Sequence, residues 1–363
     1  MSSAKTIKNK FIVFGKPSIS EHEIKAVTDV LRSGWIGTGK IAKQFENKFV
    51  EYMGGGYAVA VSSCSIGLSI ALKSLGVCSG DKVLTTPLTF CATVNSIINI
   101  GAIPVFSDVD ERGCLDFSKI KHSNFDAIIP VNYTGSQAKI TKRFNLPIIE
   151  DAAHSFGGFV GPLRQGVIGD LSVFSFYATK NITTGEGGMI YTKNRELADK
   201  CRILSNHGQS NGAWSRYSSG PIDNYSVLHP GFKGNMPDIL AALGLVQIDR
   251  WNELKLKRER IWKLYESEFG KREDGHSQHL FTIRCKKRHE FREYLYEKGI
   301  GTGVHYEALH LQPAYSYLGY RLGDFPVAEK IGAETVSLPV SNDMTIEDGL
   351  RVIEAVRDYK NKI

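Results

Sequence analysis

The chain has 363 residues, 42% of them hydrophobic, enough for one large or two moderate domains with a real core. Its formal net charge of +7 is mild and its basic residues are scattered, so nucleic-acid binding has no support and anionic small substrates suit it. Six cysteines without a C-x-x-C pair or metal-like cluster read as reduced thiols of a cytoplasmic protein, and no apolar run is long enough to span a bilayer.

The basic start leads into Phe11–Phe14, an apolar run too short for a signal-peptide core. Ser20-Glu-His-Glu23 has capping-box spacing and predicts a helix to about Arg32, with Val27, Val30 and Leu31 on one face. Three glycines around Trp35 and Thr38 then mark a loop, either functional or a plain connector, before a second helix from about Ile41 to Tyr52. From Tyr57 the pattern is strand, turn, helix, repeated. Tyr57–Val61 is a strand, and Ser62-Ser-Cys-Ser65 runs straight into helical spacing at Ile66. A hydroxyl-rich turn there presents backbone N–H groups and the helix dipole to an anion, so Ser63 to Ile66 reads as a phosphate cradle. N-capping by Ser65 is the alternative.

Lys82–Thr85 is the next strand, and Pro87–Asn95 turns into another helix. Phe90 therefore falls at the same sheet edge, free to stack on a flat ring or to pack in the core. Ile103–Phe106 and Ala127–Val131 are further short strands. Leu146-Pro-Ile-Ile-Glu150 is an apolar strand running into Asp151, with His154 three residues on. Leu171–Phe176 and Met189–Thr192 are strands flanking Ser175–Gly188, in which Lys180 stands between a hydroxyl-rich approach and a glycine-rich exit. These strands predict an α/β fold with a mostly parallel sheet covered by helices on both faces.

Such sheets bind ligands at the carboxyl ends of their strands, where Ser65, Phe90, Asp151 and the Ser175–Lys180 turn converge. An acid at a strand end and a lysine one strand later suit pyridoxal phosphate. Lys180 holds the cofactor as a Schiff base and Asp151 pairs with its pyridinium nitrogen. His154 would reach the ring's phenolic oxygen or hold Asp151, and otherwise is a buried structural histidine. Ser175 is placed to donate to the phosphate. Gly185-Glu-Gly-Gly188 lacks the G-x-G-x-x-G spacing of a dinucleotide site, and no P-loop is present.

A helix from Arg195 to Leu204 follows, then a polar stretch, 209–234, without a period. Asn235-Met-Pro237 opens a long helical pattern to about Glu268, with Asn235 placed as its N-cap. The remainder reads as a smaller α+β domain, with a strand at His279–Arg284, a helix at Arg288–Lys298 and a last helix capped by Thr345.

Glu150-Asp-Ala-Ala-His154, Ser175–Gly188 and Gly234-Asn-Met-Pro-Asp238 resemble the DegT/DnrJ/EryC1/StrS family of nucleotide-sugar aminotransferases. So do Ser33–Gly39, Pro87–Asn95 and Gly303-Val-His-Tyr306, over nearly the whole chain. The resemblance implies an aspartate-aminotransferase-like fold (fold type I). It implies an N-terminal arm and helix at residues 1–40, a large cofactor domain at 41–250 and a small C-terminal domain at 251–363. It implies a homodimer with Lys180 as the Schiff-base lysine and Asp151, His154, Phe90, Ser65 and Ser175 around pyridoxal phosphate, Cys64 and Ile66 completing the phosphate turn. Asn235 would come to the phosphate from the neighbouring subunit. Trp35, Thr38, His305, Tyr306 and His310 match segments lining the sugar-nucleotide pocket. L-glutamate is the implied amino donor, the cofactor passing through pyridoxamine phosphate. The Asn181–Gly188 tail favours C4 amination of a UDP-linked 4-keto-6-deoxy sugar for surface polysaccharide or glycoconjugate synthesis. C3 amination, a dTDP- or GDP-linked sugar, a sugar dehydratase and a non-catalytic regulator of the same fold stay open. Two departures stand out: Cys64 replaces a glycine in the phosphate turn, and the segment after Phe269 is short.

Overall fold

In a computed structural model of the chain, residues 10–120, 124–210 and 225–362 are described. The basic residues 1–9 and most of the polar 209–234 stretch lie outside them, as do 121–123 and 363. The first helix, α1 (Glu21–Ser33), forms where its capping box predicts: Ser20 and Glu23 exchange side-chain and backbone bonds, and Gly34 closes the helix in the left-handed region. Next comes α2 (Lys40–Met53), whose N-cap is Gly39 and has no side chain to offer. Its free N–H groups are satisfied from far away. The Asp238 carboxylate accepts from Gly39 and Ala42 at 2.8 and 2.9 Å, and from Ile41 at 3.2 Å.

The sheet then builds in α/β fashion. In order come β1 (Tyr57–Val61), α3 (Cys64–Ser74), β2 (Lys82–Thr85), α4 (Cys91–Ile98), β3 (Ile103–Phe106), β4 (Ala127–Ile128) and β5 (Ile149–Asp151). A small hairpin, β6 (Phe159–Val160) and β7 (Leu163–Arg164), precedes β8 (Leu171–Ser175) and β9 (Gly188–Thr192). A three-stranded sheet, β3-β2-β4, and a four-stranded one, β5-β8-β9-β1, meet through parallel bridges at Ile128–Ile148 and Val131–Asp151. The pairings are parallel except around β9, which runs against both neighbours. The mostly parallel sheet is therefore present, and the strand ends face one edge as predicted.

Both faces are covered. Leu68, Ile70, Ala71 and Leu72 of α3 pack with Ala198, Cys201 and Leu204 of α5 (Arg195–Ser205) over Val59, Val83, Ile149 and Val173. On the other face Phe45 and Phe49 of α2 meet Phe174, Phe176 and Tyr191, with Ala241 and Ile248 from α6 (Asp238–Asp249). Burial of each of the larger aliphatic and phenylalanine side chains among them contributes about 1.5–3 kcal/mol.

The long helix expected from Asn235 to Glu268 is two helices. Pro237, not Asn235, is the N-cap of α6, and the chain breaks at Arg250 before α7 (Trp251–Phe269). Further on, α8 (Arg288–Glu297) and α10 (Ile346–Lys360) pack with β10 (Phe281–Arg284) and β11 (Thr335–Leu338) around Trp262, Tyr265, Phe291 and Val356. Between them, α9 (Pro326–Glu334) and the turn at Leu309 pack instead on Leu88, Val94 and Phe106 of the first sheet region.

Candidate active site

Lys180 lies in a cavity of about 510 Å³ at the carboxyl edge of the sheet. Its backbone N–H donates to Tyr177 O at 2.9 Å, and Thr184 N–H to Phe176 O at 2.9 Å, so the Ser175–Gly188 turn closes on itself. Asn181 pins the turn from below, donating to Phe156 O and Ser277 O at 2.8 and 2.9 Å. Burial holds the Lys180 amine down to about 8, against the opposing pull of Cys64 and Asp151.

Asp151, where β5 ends, is buried beside it. Oδ2 accepts from Thr93 Oγ1 at 2.7 Å and Oδ1 from Ala153 N–H at 3.1 Å. Burial pushes this carboxyl above its ordinary value, and Thr93, Ala153 and Lys180 oppose the shift. His154 Nδ1 accepts the Thr134 N–H at 3.2 Å, and Nε2 lies 3.2 Å from the Tyr306 hydroxyl. It thus takes Tyr306 rather than Asp151 as its partner. Thr134 adopts a positive φ of 59° to aim that N–H, an uncommon conformation for a β-branched residue. Burial keeps the His154 ring well below its usual pKa, and therefore neutral.

The phosphate turn forms as the first turn of α3. Ser63, not Ser65, is the N-cap, its Oγ accepting the Ile66 N–H at 3.2 Å. Ser65 is thereby left exposed at the cavity wall. Cys64 sits inside the helix, in backbone that any residue adopts, and its thiol points at Val173 O at 3.6 Å. The glycine that does matter is Gly188: a Cβ there would lie 2.7 Å from Cys64 N, so β9 approaches the helix start only without a side chain. Phe90 stands at the mouth, 55% exposed, its ring centroid 5.7 Å from that of Tyr306.

The structure thus brings Cys64, Ser65, Phe90, Asp151, His154, Ser175, Lys180, His305 and Tyr306 to one cavity. Ile66 takes part only through its capped N–H. Trp35, Thr38 and Asn235 line a different cavity, of about 860 Å³. There Asn235 Nδ2 donates to Thr38 Oγ1 at 2.5 Å and Thr38 donates to Met236 O at 2.6 Å, while the buried Asn235 Oδ1 has no partner among the described residues. His310 joins neither cavity: its buried Nε2 lies 2.9 Å from Glu329 Oε1, under the Phe325 ring. Sequence reasoning missed Thr93 and His279. Thr89 and Thr93, hydroxyls one helical turn apart at the sheet edge, were a usable signal. His279 lay hidden at the start of an apolar strand.

The residues fit pyridoxal phosphate. The floor offers a buried carboxylate with no ion pair among the described residues, the wall a depressed lysine amine and an exposed aromatic face. A helix start with the Ser65 and Ser175 hydroxyls at the same cavity suits a phosphate. This is the site of a fold type I, pyridoxal-phosphate-dependent transaminase. The model of the DegT/DnrJ/EryC1/StrS aminotransferase family matches residues 17–357, and the chain belongs to that family. It is 40% identical to the spore coat polysaccharide biosynthesis protein SpsC of Bacillus subtilis, over 97% of both chains. It superposes on the PMP form of Spr1654, a putative sugar aminotransferase from Streptococcus pneumoniae, with a TM-score of 0.88, 30% identity and coverage of 97% and 99%. Helicobacter pylori PseC, an aminotransferase involved in the biosynthesis of pseudoaminic acid, gives 0.89 at 26% identity, covering 98% and 100%. Among the described residues no helix is long and apolar enough to cross a membrane.

Proposed function

We propose that the protein transfers the amino group of L-glutamate to C4 of a nucleotide-linked 4-keto-6-deoxy sugar, UDP being the favoured nucleotide, for surface polysaccharide or glycoconjugate synthesis in the cytoplasm. The observation that carries the reading is Lys180, an amine held to about 8 beside the buried Asp151. Such an amine both takes and returns a proton near neutral pH. The names of SpsC and PseC support a sugar acceptor. The Asn181–Gly188 tail supports C4.

Pyridoxal phosphate, when bound, supplies the electron withdrawal that lets an amino group and a keto group exchange. The chain's residues do the rest. Asp151, oriented by Thr93 and Ala153, would accept from the ring nitrogen and keep it protonated. The first-turn N–H groups of α3, with Ser65 and Ser175, hold the phosphate. Phe90, exposed at the cavity mouth, would cover the ring and exclude water. Lys180 Nζ carries the proton to and from the reacting carbon. His305 and Tyr306 face the substrate from the small α+β region.

Trp35, Thr38 and Asn235 lie apart from Lys180 within one chain, and we assign them to the site of a second copy in a homodimer. Ile36 lines that cavity, and Ile24, Leu31 and Ile36 are exposed apolar side chains of the kind an interface covers. His310 has no part in this reading. The test is a panel of keto-sugar nucleotides supplied with glutamate, read by product mass and NMR regiochemistry. A C4 amine on a UDP-linked product is expected. A deoxygenated product would make the protein a dehydratase, and cofactor binding without transfer to any sugar would make it a regulator.

A further inference from the structure

Asp151 is one of two neighbouring carboxylates at the end of β5. The other, Glu150, is fully buried, and four N–H donors converge on it. Oε1 accepts from the Ile168 and Gly169 N–H groups, both at 2.8 Å, and Oε2 accepts from Gln137 Nε2 at 2.8 Å and Asn132 Nδ2 at 3.2 Å. Asn132 and Gln137 stand at the two ends of one turn. Asn132 is fixed further by its N–H to Asp151 O at 3.0 Å, its Nδ2 to Ser155 Oγ at 2.9 Å and the Ala138 N–H to its Oδ1 at 2.9 Å. Between these anchors Thr134 holds φ 59 and ψ −11, a conformation that a β-branched residue keeps only where its surroundings enforce it. There its N–H donates to His154 Nδ1 at 3.2 Å. Burial keeps the His154 ring neutral, so its hydrogen sits on Nε2 and is donated to the Tyr306 hydroxyl, 3.2 Å away. The same turn reaches further: the Tyr133 hydroxyl donates to His305 O, and Thr134 O accepts the Leu280 N–H at 3.0 Å.

We propose that Glu150 is a positioning residue for the Lys180 cavity: it clamps both ends of the 132–137 turn, holds Thr134 in its strained conformation and so fixes His154 as a donor to Tyr306. The inference rests on the transaminase reading only in taking that cavity as the working site. His154 and Tyr306 line the cavity with Lys180, and Glu150 acts on it through the turn alone. Glutamine is no substitute, because its amide oxygen serves one pair of donors while its NH2 group opposes the other.

Two measurements on apoprotein test this. Nitrogen-15 NMR of histidine-labelled protein at neutral pH, with the His154 signals assigned by their loss in His154→Gln, should show a protonated Nε2 and a hydrogen-bonded, bare Nδ1. A protonated Nδ1 on His154 overturns the proposal. In Glu150→Gln the Nδ1 signal should move toward that of an imidazole nitrogen without a donor, and the Thr134 amide should exchange with solvent roughly two- to tenfold faster, the loss of one hydrogen bond. Adding Thr134→Gly, which adopts a positive φ without strain, should return the Nδ1 signal toward wild type. Should Glu150→Gln not fold, Gln137→Met removes one end of the clamp and should move the same signals the same way. Unchanged signals in the folded variants, exchange that quickens equally throughout the protein, or no recovery with glycine at 134 would each overturn the clamp. No cofactor or sugar is present, so failure here and failure of amine transfer are separate results.

Discussion

Replacing Thr93 by valine keeps the shape of the side chain and deletes one hydrogen bond to Asp151. That bond is 2.7 Å long, and it is the largest of the contacts opposing the burial that pushes the Asp151 pKa up, ahead of Ala153 and Lys180. A hydrogen bond to a charged group contributes roughly 1.5–3 kcal/mol. At 1.36 kcal/mol per unit, its loss should raise the Asp151 pKa by about one to two units more. The sign follows from proton counting. A carboxyl raised in the native state binds more protons folded than unfolded, so stability falls as pH rises from the ordinary aspartate value through the native one. Thr93→Val carries that fall to higher pH. Its deficit against wild type should therefore grow with pH and level off at about 1.5–3 kcal/mol once Asp151 is ionised in both proteins. Thr89, which shares a 2.7 Å contact with Thr93, adds an offset independent of pH. Urea denaturation of both apoproteins from pH 5 to 8 measures the difference. A deficit of the same size at every pH would show that the hydroxyl acts through packing or Thr89, not on the carboxylate.

Lys180→Ala should abolish glutamate-dependent amine transfer, followed by product mass; sustained turnover would remove the lysine from its role. Glu23→Ala should cost about 3 kcal/mol, because it strips a fully buried carboxylate from Arg250, 2.6 Å away, and from Gln247, 2.7 Å away. Burial raises the Glu23 pKa, but the bonds from Ser20, Arg250 and Gln247 outweigh it and hold it low. Its contribution is thus present above the ordinary glutamate value and lost as pH falls through the native one, which denaturation at pH 7 and pH 4 checks. Gly244→Ala should lower Tm despite alanine's helix preference, since the new Cβ would lie 2.5 Å from Phe45 Cζ where α6 crosses α2. A higher Tm would mean that the two helices separate without cost.

The parts of the fold that local chemistry determines were readable. The capping box of α1 needs only Ser20 and Glu23, three residues apart, and it forms. The strand ends of β1, β5 and β8 were visible as apolar runs, and they share an edge because β5 pairs in parallel with β8 while β1 and β8 both run against β9. The reading failed where a group is satisfied from far along the chain. Asn235 looked like an N-cap because capping residues commonly precede proline. The helix begins at Asp238 instead, whose carboxylate serves the start of α2 almost two hundred residues earlier. No spacing rule connects those positions. The break at Arg250 has a similar origin, because its guanidinium is drawn to Glu23 of α1 as well as to Glu253.

The division of the site between two cavities follows from one strand end. Val61, the last residue of β1, bridges to Asn235, and Ser62 N–H donates to Gly234 O at 2.7 Å. The same strand end leads through Ser63 into α3, whose first turn faces Lys180. One side of β1 thus delivers Ser65 to its own cavity, while the outer side carries Asn235 to the cavity of Trp35 and Thr38. A sequence places Ser65 and Asn235 near the same strand, but it does not say on which side of the edge strand each falls. Asn235 Oδ1, buried on that outward side, has no partner among the described residues. In the homodimer we propose, a second copy of the chain would meet Asn235 on this outward side.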